Sequence, residues 1–218
     1  MRAAIALLIA LAVAVVAALG APGGAGAAKQ PKRPTTACEK LAKRYKDRAP
    51  DRRLVLVVRG SDETGRISAC LLPRGKVRTV TSWDDGLARD SAAIVATAGA
   101  WILVEDFHSD QYGGRSRSLT RVDVRGGTRL LLSSFGCLYG YDQPGCPDGT
   151  DFGDAALAPS GAGAYEVYDF ATHVTTLRGF GVSGAMITLA DGPVNALRVT
   201  NTQASWTQAG VEHTAPLP

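Results

Sequence analysis

After Lys76 this 218-residue chain contains no further lysine, and it has only three histidines, four cysteines and 6% aromatic residues. Each scarcity excludes something. His108, His173 and His213 do not stand at metal-ligand spacing, and no CxxC pair accompanies them, so zinc is not expected. Each histidine lies in or beside a stretch of alternating polarity, which predicts a solvent-facing side chain. No G-x-S-x-G is present, so a nucleophile elbow is missing, and Ser160 in PSGAG reads as a turn residue. Phosphate chemistry has no support, because no Walker A or G-x-G-x-x-G joins a strand to a helix. The basic residues do not interleave with aromatics on a strand face, which argues against nucleic acid.

Long apolar runs are also scarce. The only one runs from Ala3 to Leu19, behind the positive start Met1-Arg2 and ahead of small residues that end in Ala25-Gly26-Ala27. That layout predicts a cleaved secretory signal peptide over residues 1–27, with an uncleaved anchor as the alternative. No later segment is long and apolar enough to span a bilayer as a helix, so no membrane span is expected after cleavage. The expected destination is extracellular or the cell envelope. In that oxidising setting the four cysteines predict two disulfides. Three connectivities exist, of which Cys38–Cys70 and Cys137–Cys146 are favoured. The second pair would close a short loop rich in Gly and Pro.

What is present describes a folded chain. It is 45% hydrophobic and 20% charged, too apolar for intrinsic disorder, and its glycines have no triplet period. Residues 28–52 read as a basic arm followed by a short helix over Cys38–Arg48, where Leu41 and Tyr45 fall four apart before Pro50. Residues 53–218 read as one β domain. Short runs such as Leu54–Val58, Arg66–Leu72, Trp101–Phe107, Ser118–Val124, His173–Gly179 and Ala204–Gln208 are separated by Gly, Pro, Asn and Asp.

Repeats narrow the architecture. Ser91–Phe107 and Asp154–Phe170 align without a gap and share Ala, Ala, Val, Asp and Phe, and Ala196–Gly210 is a fainter copy. Each reads as strand, small-residue turn, strand. A second repeat, Leu72–Ser82 with Asp123–Ser133, is a hairpin around an Arg-Gly turn. Joined, they give units of about four strands, the pattern of propeller blades. The expected fold is therefore all-β and β-propeller-like, with about four short blades, open or partial, and one short N-terminal helix. An ordinary β-sandwich is the competing architecture. The segment Leu157–Glu166 (LAPSGAGAYE) resembles the blade motif of TolB-like and WD-repeat propellers, with Pro159-Ser160-Gly161 in its place and no aspartate. Over most of Arg53–Pro218 the chain also resembles short secreted actinobacterial proteins with blade-like repeats. That resemblance implies a propeller-like fold.

Chemistry is sought among the acids and aromatics. Glu105, Asp106, Glu166 and Asp169 stand near the ends of the aligned second strands, and two of them converging would suit glycoside hydrolysis. Their repetition points instead to an architectural role. Phe135–Asp154 departs from the repeat and is read as a loop. It carries Asp142, Asp148, Asp151 and Asp154 among glycines, a composition that suits a hard cation such as Ca²⁺, although EF-hand spacing is absent. Tyr139, Tyr141 and Phe152 in the same segment could stack on a sugar or grip a peptide. The candidate ligand-binding set is thus Tyr139, Tyr141, Asp142, Asp148, Asp151 and Asp154, with no catalytic or metal residue assigned.

Charge is segregated. Lys29–Arg59 carries eleven bases against three acids, and Gly60–Pro218 carries twelve against seventeen. The expected function is a secreted non-enzymatic binding module for an extracellular ligand, glycan or protein. The alternatives are a secreted polysaccharide hydrolase and a cell-envelope protein held to anionic polymer by its basic arm.

Overall fold

The computed structural model describes residues 34–44, 53–60, 64–84, 89–109, 114–137, 150–169 and 172–218. Among them are one short helix, α1 (Ala37–Arg44), and fourteen strands, so the all-β expectation holds. The strands form four antiparallel sheets, each built from strands consecutive in sequence. The first contains β1 (Leu54–Gly60), β2 (Thr64–Leu71) and β3 (Arg78–Asp84). The second contains β4 (Arg89–Ala98), β5 (Trp101–Ser109), β6 (Arg115–Asp123) and β7 (Arg129–Cys137). The third contains β8 (Thr150–Leu157), β9 (Gly163–Asp169), β10 (Val174–Phe180) and β11 (Met186–Asp191). The fourth contains β12 (Asn195–Val199), β13 (Gln203–Gln208) and β14 (Val211–Pro216).

Both repeats fall on hairpins. The longer one forms β4–β5, β8–β9 and β12–β13, while the Arg-Gly turns join β2 to β3 and β6 to β7. These matches set a phase. β1 occupies the second position of a four-strand unit, so among the described residues the first sheet has no strand in the first position and the fourth sheet none in the last. The first strands of successive sheets run side by side, β4 beside β8 and β8 beside β12.

One expectation is corrected here. Asp151 and Asp154 do not belong to a loop, because Thr150–Leu157 is a strand. It pairs Phe152 with Val167 and then, after an irregularity, Ala155 with Tyr165. Gly153 and Asp154 together stand opposite the single residue Glu166, a bulge that breaks the simple alternation that marks a strand in sequence. A Cβ at Gly153 would lie 2.7 Å from Glu166 Oε2, so a larger residue there would press on this buried carboxylate.

The sheets pack face to face, so strands of the middle sheets are apolar on both faces. In β5, Ile102 and Val104 join Leu54, Ile67, Ala69 and Val80 of the first sheet. Leu103 turns the other way, toward Phe152, Tyr165, Val167 and Phe180 of the third. An aromatic ladder crosses this second interface, with ring centroids 5.9 Å apart for Phe135–Phe152 and 6.0 Å for Phe152–Tyr165 and Tyr165–Phe180. The far face of the third sheet meets the fourth through Ala164, Leu177, Ala204 and Trp206.

The outer face of the first sheet is covered by α1. Cys38 and Ala42, four apart on the helix, pack on Val55, Val57 and Cys70. The favoured Cys38–Cys70 disulfide is present, with Cα atoms 5.8 Å apart. The helix opens with a capping box: Glu39 N–H donates to Thr36 Oγ1 at 3.2 Å, and Thr36 N–H donates to Glu39 Oε2 at 2.8 Å. α1 ends at Arg44 within the described residues, and the rest of the expected helix, including Tyr45, lies outside them.

Candidate functional site

Adjacent residues on a strand point to opposite faces, and this separates the first pair of candidate acids. Asp106 turns toward the first sheet, where Thr81 Oγ1 donates to its Oδ1 at 2.7 Å and Arg129 Nη2 stands 3.9 Å from Oδ2. Glu105 turns toward the third sheet. Arg117 Nη1 lies 3.3 Å from its Oε1, and the same nitrogen contacts Asp151 Oδ1 on β8. The Arg117 guanidinium also lies over the Phe107 ring, 5.5 Å from its centroid. Burial pushes the Glu105 carboxyl above its ordinary value, with Asp151 and Asp106 adding to the rise and Arg117 opposing it.

Glu166 is buried, and both its oxygens are used by the backbone. Asp154 N–H donates to Oε2 at 3.1 Å, and Val194 N–H, in the connection to β12, donates to Oε1 at 2.7 Å. It ties the β8 bulge to the entry of the fourth sheet. Asp169 accepts a hydrogen bond from Thr172 N–H at 3.2 Å, a turn contact. The four acids therefore serve four different local structures, and one of them, Glu105, is joined through Arg117 to a fifth acid, Asp151 on β8.

Of the candidate ligand-binding residues, Asp151 and Asp154 lie exposed on β8. Tyr139, Tyr141, Asp142 and Asp148 lie outside the described residues, as does the expected Cys137–Cys146 bridge. Among the described residues no group of three or more His, Cys, Asp or Glu could hold a metal ion. All three histidines are exposed. His108 Nδ1 contacts Asp90 Oδ1 across β4 and β5. His173 sits in the turn before β10 at φ 57°. His213 stacks on Trp206 with centroids 5.6 Å apart.

Sequence reasoning missed Arg121. Its side chain is 5% exposed and crosses from the second sheet to two turns of the third. Nη1 donates to Gly161 O at 2.7 Å and Gly181 O at 2.9 Å, and Nη2 donates to Val182 O at 2.8 Å. The guanidinium lies 4.9 Å from the Trp101 ring centroid and 5.7 Å from that of Phe180. Burial pulls its pKa down, while Asp123 opposes the shift. A signal was present: Arg121 is in phase with Leu119 on β6 and directly opposite the buried Leu103. Arg78 does the same one interface earlier, donating to Val124 O at 2.9 Å and Arg125 O at 2.8 Å.

Among the described residues, successive sheets are thus held by a carboxylate link and a second link from a side chain to a turn. Thr81–Asp106 and Arg78 join the first pair, and Arg117–Asp151 and Arg121 the second. Glu166–Val194 joins the third pair, together with Ser160 N–H, which donates to Asn201 Oδ1 at 3.1 Å. No protein-family model and no curated protein matches the chain.

Proposed function

We propose that the chain is a secreted, non-enzymatic binding module of β-propeller-like architecture. In this reading it holds an extracellular glycan or protein at the connection between β7 and β8, residues 138–149. The observation that supports a non-enzymatic role is the use of the acids. Asp106, Glu166 and Asp169 are bonded to a hydroxyl or to backbone N–H groups of the fold, and Glu105 is bridged by Arg117. A glycosidase needs one carboxyl free to protonate a leaving group and a second placed across the scissile bond. The propeller-like reading draws support from the repeat phase and from the neighbouring first strands β4, β8 and β12.

The test is co-sedimentation of the mature chain with insoluble polysaccharides, with reducing ends assayed in the same tubes. The expected outcome is retention without reducing-end release, weakened in Tyr139→Ala/Tyr141→Ala. Release that disappears in Glu105→Gln would replace this reading with the hydrolase.

A further inference from the structure

Regular and irregular pairings alternate through the four sheets, and the pattern singles out one strand. The second and third strands of each unit, β1–β2, β5–β6, β9–β10 and β13–β14, pair without a register shift. In the first three sheets the third and last strands do not. Each last strand has one residue left over: Val80 of β3, Leu132 of β7 and Leu189 of β11. A bulge twists an edge away from further pairing, so these last strands are guarded against addition. β14 is built differently. It has the regular pairing of a third strand, yet among the described residues it stands at the edge of its sheet.

The hairpin fixes what that edge offers. Ala209 and Gly210, at φ 50° and 81°, make a two-residue turn that sets Gln208 opposite Val211. At the other end of β14, Leu217 N–H donates to Thr202 O, just before β13, at 2.8 Å. Alternation then turns the backbone groups of Val211, His213 and Ala215 toward β13 and those of Glu212 and Thr214 outward. Pro216 has no N–H and ends the usable edge. Beside β14 the apolar floor is unfinished. Ile187 of β11 stands opposite Gly179, whose Cβ position faces Leu189 and Leu217, so Ile187 points to the fourth sheet. It is 38% exposed. Val211 shares a face of β14 with His213, which stacks on Trp206, and is 58% exposed.

We infer that β14 pairs antiparallel with β14 of a second copy of this chain, each filling the last position of the other's fourth sheet. The edge fits itself, and that selects the occupant. Outward groups must meet outward groups about a two-fold axis. A register centred on Glu212 sets like charges directly opposite each other. One centred on Thr214 sets Glu212 against Pro216, which has no N–H to give. A register centred on His213 sets Glu212 against Thr214 of the second copy, twice, for four backbone hydrogen bonds. It also sets the exposed Val211 against Ala215 of the second copy. The two His213 side chains meet at the axis, a like-charge pair only when protonated. The inference does not rest on the binding reading and uses none of residues 138–149.

The test is sedimentation velocity of the mature chain at rising concentration, at mildly alkaline pH where histidine is neutral. A monomer–dimer equilibrium is expected. Thr214→Pro removes an outward N–H and leaves every bond to β13 in place, and it is expected to weaken dimerisation by ~10-fold or more. Cysteine substitution reads the register. In His213→Cys the two thiols occupy a non-hydrogen-bonded pair within disulfide reach, and an oxidised dimer is expected on a non-reducing gel. In Val211→Cys the thiols are offset by about 13 Å along the strand, and no crosslink is expected. Denaturation midpoints establish that each variant is folded. A chain that stays monomeric overturns the inference. So does a dimer that folded Thr214→Pro leaves unchanged, or one that crosslinks through Val211→Cys and not through His213→Cys. If Thr214→Pro fails to fold, the two cysteine variants decide.

Discussion

Arg121 sits almost wholly inside the protein and still serves as a hydrogen-bond hub. Its donors satisfy carbonyls in two turns that would otherwise be buried against the second sheet. Arg121→Ala removes the donor to Gly161 O and Val182 O, leaves Gly181 O only its bond from Gly184 N–H at 3.1 Å, and opens a gap against Trp101. The expected loss is about 3–5 kcal/mol by urea denaturation. Arg121→Lys is expected to recover only part, because a point ammonium lacks the planar fork that reaches carbonyls in two turns. Glu105 makes a prediction in pH. Its folded pKa lies above the ordinary value of 4.5, so the folded protein holds that proton more tightly than the unfolded chain. Ionising Glu105 therefore costs stability; the cost is absent at low pH and appears as pH rises through the shifted value. The stability of Glu105→Gln relative to the wild type should increase as pH rises above 4.5 and level off once Glu105 is ionised in the folded protein. A difference that is flat over that range would contradict the raised pKa.

At the scale of elements, the turns govern how closely the sheets approach. Gly161, in the β8–β9 turn, has φ 93°, and a Cβ there would lie 2.5 Å from the Trp101 ring. Gly161→Ala meets both a left-handed backbone and a steric clash. It is expected to cost about 1–3 kcal/mol and to shift the Trp101 fluorescence. The α1–β1–β2 unit depends on its crosslink. Cys38 and Cys70 are 32 residues apart, so opening the bridge frees a loop whose closure entropy is worth about 3–4 kcal/mol. Cys38→Ser/Cys70→Ser is expected to lower the thermal midpoint, and a reductant should then cause no further change through this bridge. Much of this scale was legible in the sequence. The Arg-Gly turns and the small-residue turns lie where the two repeats put them, because turn geometry and strand alternation are local properties. The start of β8, residues 150–153, was the exception, since it precedes the repeat and its bulge hid the alternation.

For the whole molecule, each sheet supplies a face of its neighbour's core. Sheets so joined are expected to unfold together. The tryptophans are well placed to report this: Trp83 lies on the first sheet, Trp101 on the second and Trp206 on the fourth. Three single-tryptophan proteins, with the other two changed to Phe, are expected to give coincident denaturation midpoints after correction for each variant's own stability. Separate midpoints would show that the sheets are independent folding units. The charge segregation read in the sequence also takes a form at this scale. Its described part lies on the outer face of the first sheet, partly on a helix that the disulfide fastens there.

By itself the sequence determined the β-rich class, the hairpins and their phase, and it favoured the Cys38–Cys70 bridge among the alternatives. All of these follow from side-chain alternation, turn residues or cysteine pairing in an oxidising compartment. Only the tertiary structure decided what each charge meets. Glu105 and Asp106 are neighbours in sequence and belong to different interfaces. Arg121 and Gly181 are 60 residues apart and share a hydrogen bond. A partner across a face-to-face interface depends on which sheets pack together and at what offset. No local periodicity encodes that, so three acids that looked like chemistry in the sequence, Asp106, Asp151 and Glu166, became links between sheets in the fold.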